Sequence, residues 1–230
     1  MPRIVQPELL DILPPNDPKA LRSRADLLRL NRIMGHAKIL AQQLEALPAA
    51  RPFQLIDLGG SDGLFLLEVA KRLGRRNPAA LVQATLVDRA QVVQPETVDQ
   101  FAKLNWQVRT VTADAIDFLR DAFAEVDVII VNLLLHQFDD EPLRELLALA
   151  SERTRRFIAV EPERAALPLF LSGFVGFAGC NSVTRHDARI SVEAGFSGRE
   201  LIAFWPRGPH WKVEECRLGW SNHLFVAHRK

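Results

Sequence analysis

The stretch FQLIDLGGSDG, residues 53–63, followed without a break by LFLLEVAKRL, residues 64–73, decides how the rest of the chain is read. FQLIDL is an unalternating apolar run of strand length, as expected of a strand covered on both faces of its sheet. Glycines at 59, 60 and 63 end it, and an amphipathic helical pattern starts at Leu64 and closes at Gly74. Strand, glycine turn and helix open a parallel α/β sheet and also form a cradle for an anionic group. The glycines let backbone approach a ligand closely, and the helix N-terminus offers unpaired N–H groups carrying about half a positive charge.

The alternation continues downstream. ALVQATLVD (80–88), WQVRTVTAD (106–114), VDVIIVNLLL (126–135) and RRFIAVE (155–161) read as strands, separated by helical patterns at 90–104, from Ala115 to Phe123 and from Asp140 to Ser151. VDVIIVNLLL is the most apolar run and belongs in the middle of the sheet. Residues 162–196 mix patterns, and WKVEECRLG (211–219) with NHLFVAHRK (222–230) reads as an antiparallel pair. Upstream, Leu27, Leu30, Met34, Ala37, Ala41 and Leu44 recur at spacings of three and four, predicting helix from Pro18 to Leu47 with a break near Gly35. Pro48 and Pro52 then punctuate. The expected fold is α/β: a doubly wound, mostly parallel seven-stranded sheet with an antiparallel C-terminal hairpin and an N-terminal helical extension. Residues 1–50 are the extension and 51–230 the main domain. Ligands of such a sheet bind beyond the carboxyl ends of its strands.

Composition narrows the class. The chain has 230 residues, 48% hydrophobic and 25% charged, with a formal net charge of +1, the balance of a soluble globular protein rather than a disordered one. No apolar run reaches the roughly 20 residues that span a bilayer. The opening MPRIVQPELLDILPPND is cut by prolines and acids where a signal peptide needs an apolar stretch, so a cytoplasmic location is expected. Cys180 and Cys216 are the only cysteines, too few for a disulfide framework or a cysteine zinc cluster. Near-zero charge argues against sequence-indifferent nucleic-acid binding.

Motif spacing then sorts the ligands. The dinucleotide fingerprint GxGxxG fails in both registers, which hold Ser61 and Leu64 or Asp62 and Phe65, and no Gly-Lys follows at phosphate-loop spacing. No HxxxH or HExxH spacing points to a metal.

What stands there, Asp57-Leu58-Gly59-Gly60-Ser61-Asp62-Gly63, resembles the acidic-x-GxGxG turn of the class I, seven-stranded S-adenosylmethionine-dependent methyltransferases, and the likeness runs over residues 53–230. It is similar to the small bacterial metabolite-tailoring members. The resemblance implies S-adenosyl-L-methionine as cofactor, cradled by Asp57, Gly59, Gly60, Ser61 and Gly63. It further implies Asp88 on the ribose hydroxyls, Asp114 and Ala115 at the adenine, and Asn132 beside the methionine portion. Ser61 departs from the pattern, replacing its middle glycine.

Each residue also has a plainer reading. Asp57 can fix the turn, and Asp62 can cap the helix that follows. His136, just past the fourth strand, is the natural general base, or else a structural histidine. His186, with Arg185 and Asp187, is a second catalytic candidate or part of a solvated ion pair. Glu161 faces the pocket or pairs with Arg164. Asn31 and His36 close over the cofactor or decorate the core. LPLFLSGFVGF (167–177) is a greasy cover for the acceptor or an ordinary buried helix.

The expected activity is O-methylation of a small hydrophobic or aromatic metabolite by in-line displacement. The asparagine-proline-proline-aromatic signature of amide or base N-methylation is absent, NLLLHQF standing in its place. An RNA or protein methyltransferase, or a non-catalytic partner protein of the same fold, stays open. A homodimer is compatible with the sequence.

Overall fold

The computed structural model describes residues 1–44, 52–75, 81–90, 92–121 and 124–230. The chain begins with α1 (Leu9–Ile12), α2 (Pro18–Met34) and α3 (His36–Gln43). It continues with β1 (Phe53–Leu58), α4 (Leu64–Gly74), β2 (Val82–Asp88), α5 (Pro95–Ala102), β3 (Trp106–Thr112), α6 (Ala115–Arg120), β4 (Val126–Asn132) and α7 (Asp140–Arg153). It ends with β5 (Thr154–Pro162), α8 (Ala166–Ser172), α9 (Ser182–Ala194), α10 (Glu200–Phe204), β6 (Trp211–Leu218) and β7 (Asn222–Arg229).

The seven strands form one sheet in the order β3-β2-β1-β4-β5-β7-β6. β1 to β5 run parallel, while β7 lies antiparallel to β5 and β6 antiparallel to β7. This is the expected doubly wound sheet with its reversed hairpin. The order reverses between β1 and β4, so the loops after these two strands flank the crevice where such sheets take ligands.

β4 shows why the sheet is buried on both faces. Val128 to Val131 are all fully buried, each worth about 1.5–3 kcal/mol relative to exposure. Val128 and Ile130 join a core with Leu66, Val69 and the α3 residues Ala37, Leu40 and Ala41. Ile129 and Val131 point the other way, onto Leu143, Leu146 and Leu147 of α7. The apolar run extends to Leu135, but the strand stops at Asn132. Leu133 takes a left-handed backbone (φ 58°), and the Glu161 carboxylate captures the N–H groups of Leu134 (3.0 Å) and Leu135 (2.8 Å). A buried acceptor on the neighbouring strand thus overrides apolar continuity.

The helix expected from Pro18 breaks at Gly35, whose left-handed φ of 76° turns α2 into α3. Its expected end at Leu47, the boundary at residues 50 and 51, and Ala80, Phe123 and residue 91 lie outside the described residues. The mixed region 162–196 resolves into α8 and α9 joined by a 3-10 turn. At the reversed hairpin, the buried His223 of β7 bridges Glu163 (Nδ1 to Oε2, 2.8 Å) and Glu215 of β6 (Nε2 to Oε1, 2.7 Å). Burial pulls this imidazole down, but the two carboxylates outweigh it and raise its pKa.

Candidate functional site

A cavity of about 370 Å³ opens at the carboxyl ends of β1, β2 and β4 and beside the start of α6. Asp57, Gly59, Gly60, Ser61, Asp88, Asp114, Ala115 and Asn132 all line it, so the structure gathers these cofactor-binding candidates around one space. Gly63 starts α4 next to them, although it does not itself face the cavity.

The turn is built close to β2. The N–H groups of Gly59 and Gly60 donate to the Val87 carbonyl, and a Cβ on Gly60 would stand 2.8 Å from Leu86 Cδ2, inside van der Waals contact. Ser61 adopts φ 47°, the conformation that glycine takes freely and that costs other residues on the order of 1–3 kcal/mol. It is held there because its N–H donates to Asp88 Oδ2 at 2.9 Å. The other Asp88 oxygen accepts from the Ala90 N–H at 2.9 Å, which aims the carboxylate along the cavity rim.

The remaining acids differ. Asp57 is buried, no described residue donates a hydrogen bond to its carboxyl group, and burial reinforced by the Asp88 charge pushes its pKa up to about 8. Asp62 accepts from the Leu64 N–H at 3.1 Å, in keeping with its capping reading, and burial raises its pKa. Asp114 caps α6, its Oδ1 accepting from Ile116 N–H at 2.8 Å. At the end of β4, Asn132 meets the buried His36 ring at 2.8 Å, and Asn31 of α2 completes that wall.

His136 is fully engaged. Its Nδ1 bonds Glu161 Oε2 at 2.7 Å and its Nε2 bonds Glu8 Oε1 at 3.1 Å. Burial alone would lower its pKa, but the bonds and charges of the two glutamates raise it to about 10. It therefore carries its proton at neutral pH, with no ring nitrogen free to take another. Glu161 is the receptacle for the loop after β4, not a partner of Arg164, which bonds Ser197 at 3.1 Å and pairs with Glu200. His186 lies outside the cavity on α9, half-exposed, 3.0 Å from Asp187.

The sequence reading missed the N-terminal segment. Glu8, Leu10, Asp11, Leu13 and Pro15 form one side of the cavity, with Arg24, Leu27 and Leu28 of α2 beside them. The buried Asp187 holds this strap by accepting from the N–H groups of Leu9 (2.9 Å) and Leu10 (3.0 Å). Arg3 donates to the Phe138 carbonyl at 2.6 Å and the Ala194 carbonyl at 2.9 Å. The segment 167–177 does not cover the site: Leu167, Phe170 and Phe174 point to solvent, and none lines the cavity. Strap anchors come from residues more than a hundred positions away, which no local spacing encodes.

The fold has known counterparts. The chain superposes over 94% of its length on an O-methyltransferase family protein from Burkholderia thailandensis, at 18% identity and a TM-score of 0.60, and spans 61% of that protein. It matches the plantazolicin methyltransferase BamL, solved with a triazolic desmethylPZN analogue and SAH, over 96% of its own length and 93% of BamL, at 10% identity and a TM-score of 0.64. For the pyocyanin biosynthetic protein PhzM the figures are 94% and 60% coverage, 19% identity and 0.55. No family model and no curated protein sequence matches the chain. The chain thus has the seven-stranded fold of these methyltransferases and spans about three-fifths of the length of two of these three. Among the described residues, no helix is long and apolar enough to cross a membrane.

Proposed function

We propose that this chain is an S-adenosylmethionine-dependent methyltransferase that transfers a methyl group to oxygen of a small hydrophobic or aromatic metabolite. The observation that carries the reading is the turn after β1, packed so closely on Leu86 that a Cβ at Gly60 would force that side chain to shift, with its Ser61 N–H bonded to the carboxylate at the end of β2. Its surroundings support a cationic ligand. Asp11, Asp62, Asp88 and Asp114 line the cavity against Arg24 and Arg89, an excess of acids that favours a sulfonium and an ammonium.

The residues present fit the cofactor. Asp88 would hold the ribose hydroxyls, Asp114 and Ala115 the adenine, Asn132 the methionine portion, and the N-terminus of α4 the carboxylate. When bound, S-adenosylmethionine supplies an activated methyl group for in-line displacement. Leu10, Leu13, Leu27, Phe65 and Phe138 would screen the reacting end from water and favour an apolar acceptor. Because His136 keeps its own proton, the acceptor this wall suits is one that ionises readily, such as an acidic phenol.

Calorimetry with S-adenosylmethionine and S-adenosylhomocysteine tests the cofactor; absence of heat with both would overturn the reading. Incubation with methyl-labelled cofactor and cell extract then tests turnover, with label expected in a small extractable product. Label in the macromolecular fraction would favour an RNA or protein acceptor instead. A non-catalytic partner protein is the second reading, favoured by the engagement of both His136 nitrogens; cofactor binding with label in no fraction would support it.

A further inference from the structure

Residues 165–184 are the longest stretch of the chain without an Asp, Glu, Lys or Arg, and the cavity uses none of them. They form α8 and the 3-10 turn Val175–Ala178 and run into the start of α9. An apolar stretch of this kind is ordinarily hidden, yet Leu167, Phe170 and Phe174 are exposed. Phe170 and Phe174 are the only exposed phenylalanines among the described residues, and their rings lean on each other with centroids 5.0 Å apart. Met1, also exposed, lines a surface groove with Phe170 and Arg189.

Cations border this patch. Arg189 is shared between that groove and a second one lined by Arg185 and His186. Arg185 lies against the 3-10 turn, its Nε 2.9 Å from where a Cβ on Gly176 would stand. Arg22 of α2 reaches the far end of the turn, donating to the Gly179 carbonyl at 3.2 Å. The acids nearby face inward. Arg22, His186 and Arg189 expose 60%, 47% and 70% of their side chains, whereas their partners Asp26, Asp187 and Glu193 expose 2%, 7% and 17%. Asp187 is moreover engaged by the strap N–H groups of Leu9 and Leu10. These ion pairs therefore turn their positive ends to solvent beside the apolar patch.

Clustered apolar side chains in water mark a contact surface, and outward cations beside them complement a partner that is anionic and also offers hydrocarbon. An anionic bilayer provides both, with phosphates at its surface and acyl chains beneath. A second copy of the chain, meeting this patch about a two-fold axis, would set Arg185 and Arg189 against their own counterparts. A nucleic-acid strand would engage the rings and the cations but leave Leu167 and Met1 bare. We propose that α8 and the outward face of α9 dock the protein peripherally on the anionic lipid surface of a membrane. Because Asp187 of α9 also holds the strap, docking keeps one wall of the cavity close to the lipid. The inference stands on the surface geometry and does not depend on the cofactor reading.

The test is co-sedimentation of the full chain with vesicles, either of phosphatidylcholine alone or of phosphatidylcholine and phosphatidylglycerol in equal amounts. Binding to the mixed vesicles is expected to exceed binding to the neutral ones about tenfold or more and to weaken as salt is raised. Phe170→Ser with Phe174→Ser, and separately Arg185→Glu with Arg189→Glu, should each lower it about tenfold or more. Arg75→Glu with Arg207→Glu makes the same charge change at exposed positions at the end of α4 and after α10, and should leave binding within about twofold of wild type. An equal loss in that control pair, or equal binding to both kinds of vesicle, would overturn the proposal. Hydrogen exchange on the wild type decides without variants: mixed vesicles should protect amides over residues 166–176 and leave β4 unchanged, and protection that omits 166–176 overturns the assignment. No retention by the mixed vesicles, whether the protein instead self-associates or binds single-stranded RNA, would also overturn it and would leave the cofactor reading intact.

Discussion

Asp88 does two jobs with its two oxygens, pinning Ser61 in a left-handed conformation and presenting charge at the cavity rim. Replacing it with alanine is expected to weaken S-adenosylhomocysteine by more than tenfold, since a charged hydrogen-bond partner is worth about 1.5–3 kcal/mol; calorimetry checks this. Gly60→Ala drives a methyl against Leu86 and should cost about 1–3 kcal/mol in urea unfolding, together with cofactor affinity. His136→Leu leaves Glu8 and Glu161 facing each other without a counter-charge, an expected loss of about 3–5 kcal/mol by the same measurement. The wild-type pH profile has a definite sign. His136 has a folded pKa of about 10, above the ordinary value of about 6.5, so its stabilisation is complete below pH 6.5 and disappears as pH climbs toward 10. Urea midpoints should fall over that window, and the fall should shrink in His136→Leu.

Among the elements, the N-terminal strap is the one whose position depends on single side chains. It carries only the four-residue α1, none of whose residues is buried, and it relies on the Asp187 carboxylate, Arg3 and the Glu8–His136 pair. Asp187→Ala is expected to raise amide hydrogen exchange over residues 4–13 while leaving exchange in β4 unchanged. Protection of the strap equal to wild type would contradict its anchoring role. The same dependence explains what sequence reading could and could not see. The glycine turn, Asp88, Asp114 and Asn132 were legible because each sits at the end of a strand whose apolar run is visible. Glu8 and Asp11 were not, because their place over the cavity follows from long-range pairing. Strand ends were misjudged where a buried group intervened, as at Leu133 to Leu135. The Leu167–Phe174 stretch misled because its phenylalanines, though clustered in sequence, face solvent.

At the level of the whole molecule, both cores meet on β4, and this is why element order was readable from apolar runs alone. Ile130→Ala, at a fully buried position in the sheet's centre, is expected to cost about 2–5 kcal/mol and to lower the urea midpoint without changing the slope. The reversed hairpin was legible from its two alternating runs; the Glu163–His223–Glu215 bridge beneath it was not, since its three members are separated by dozens of residues or lie on different strands. That bridge and the Glu8–His136–Glu161 bridge each hold one imidazole ring between two carboxylates. Alkaline buffers near pH 10 would discharge His136, so an anion-exchange column run there would loosen the strap beside the cavity where the ligand is expected to enter, and storage at neutral or mildly acidic pH should prolong the protein's working life.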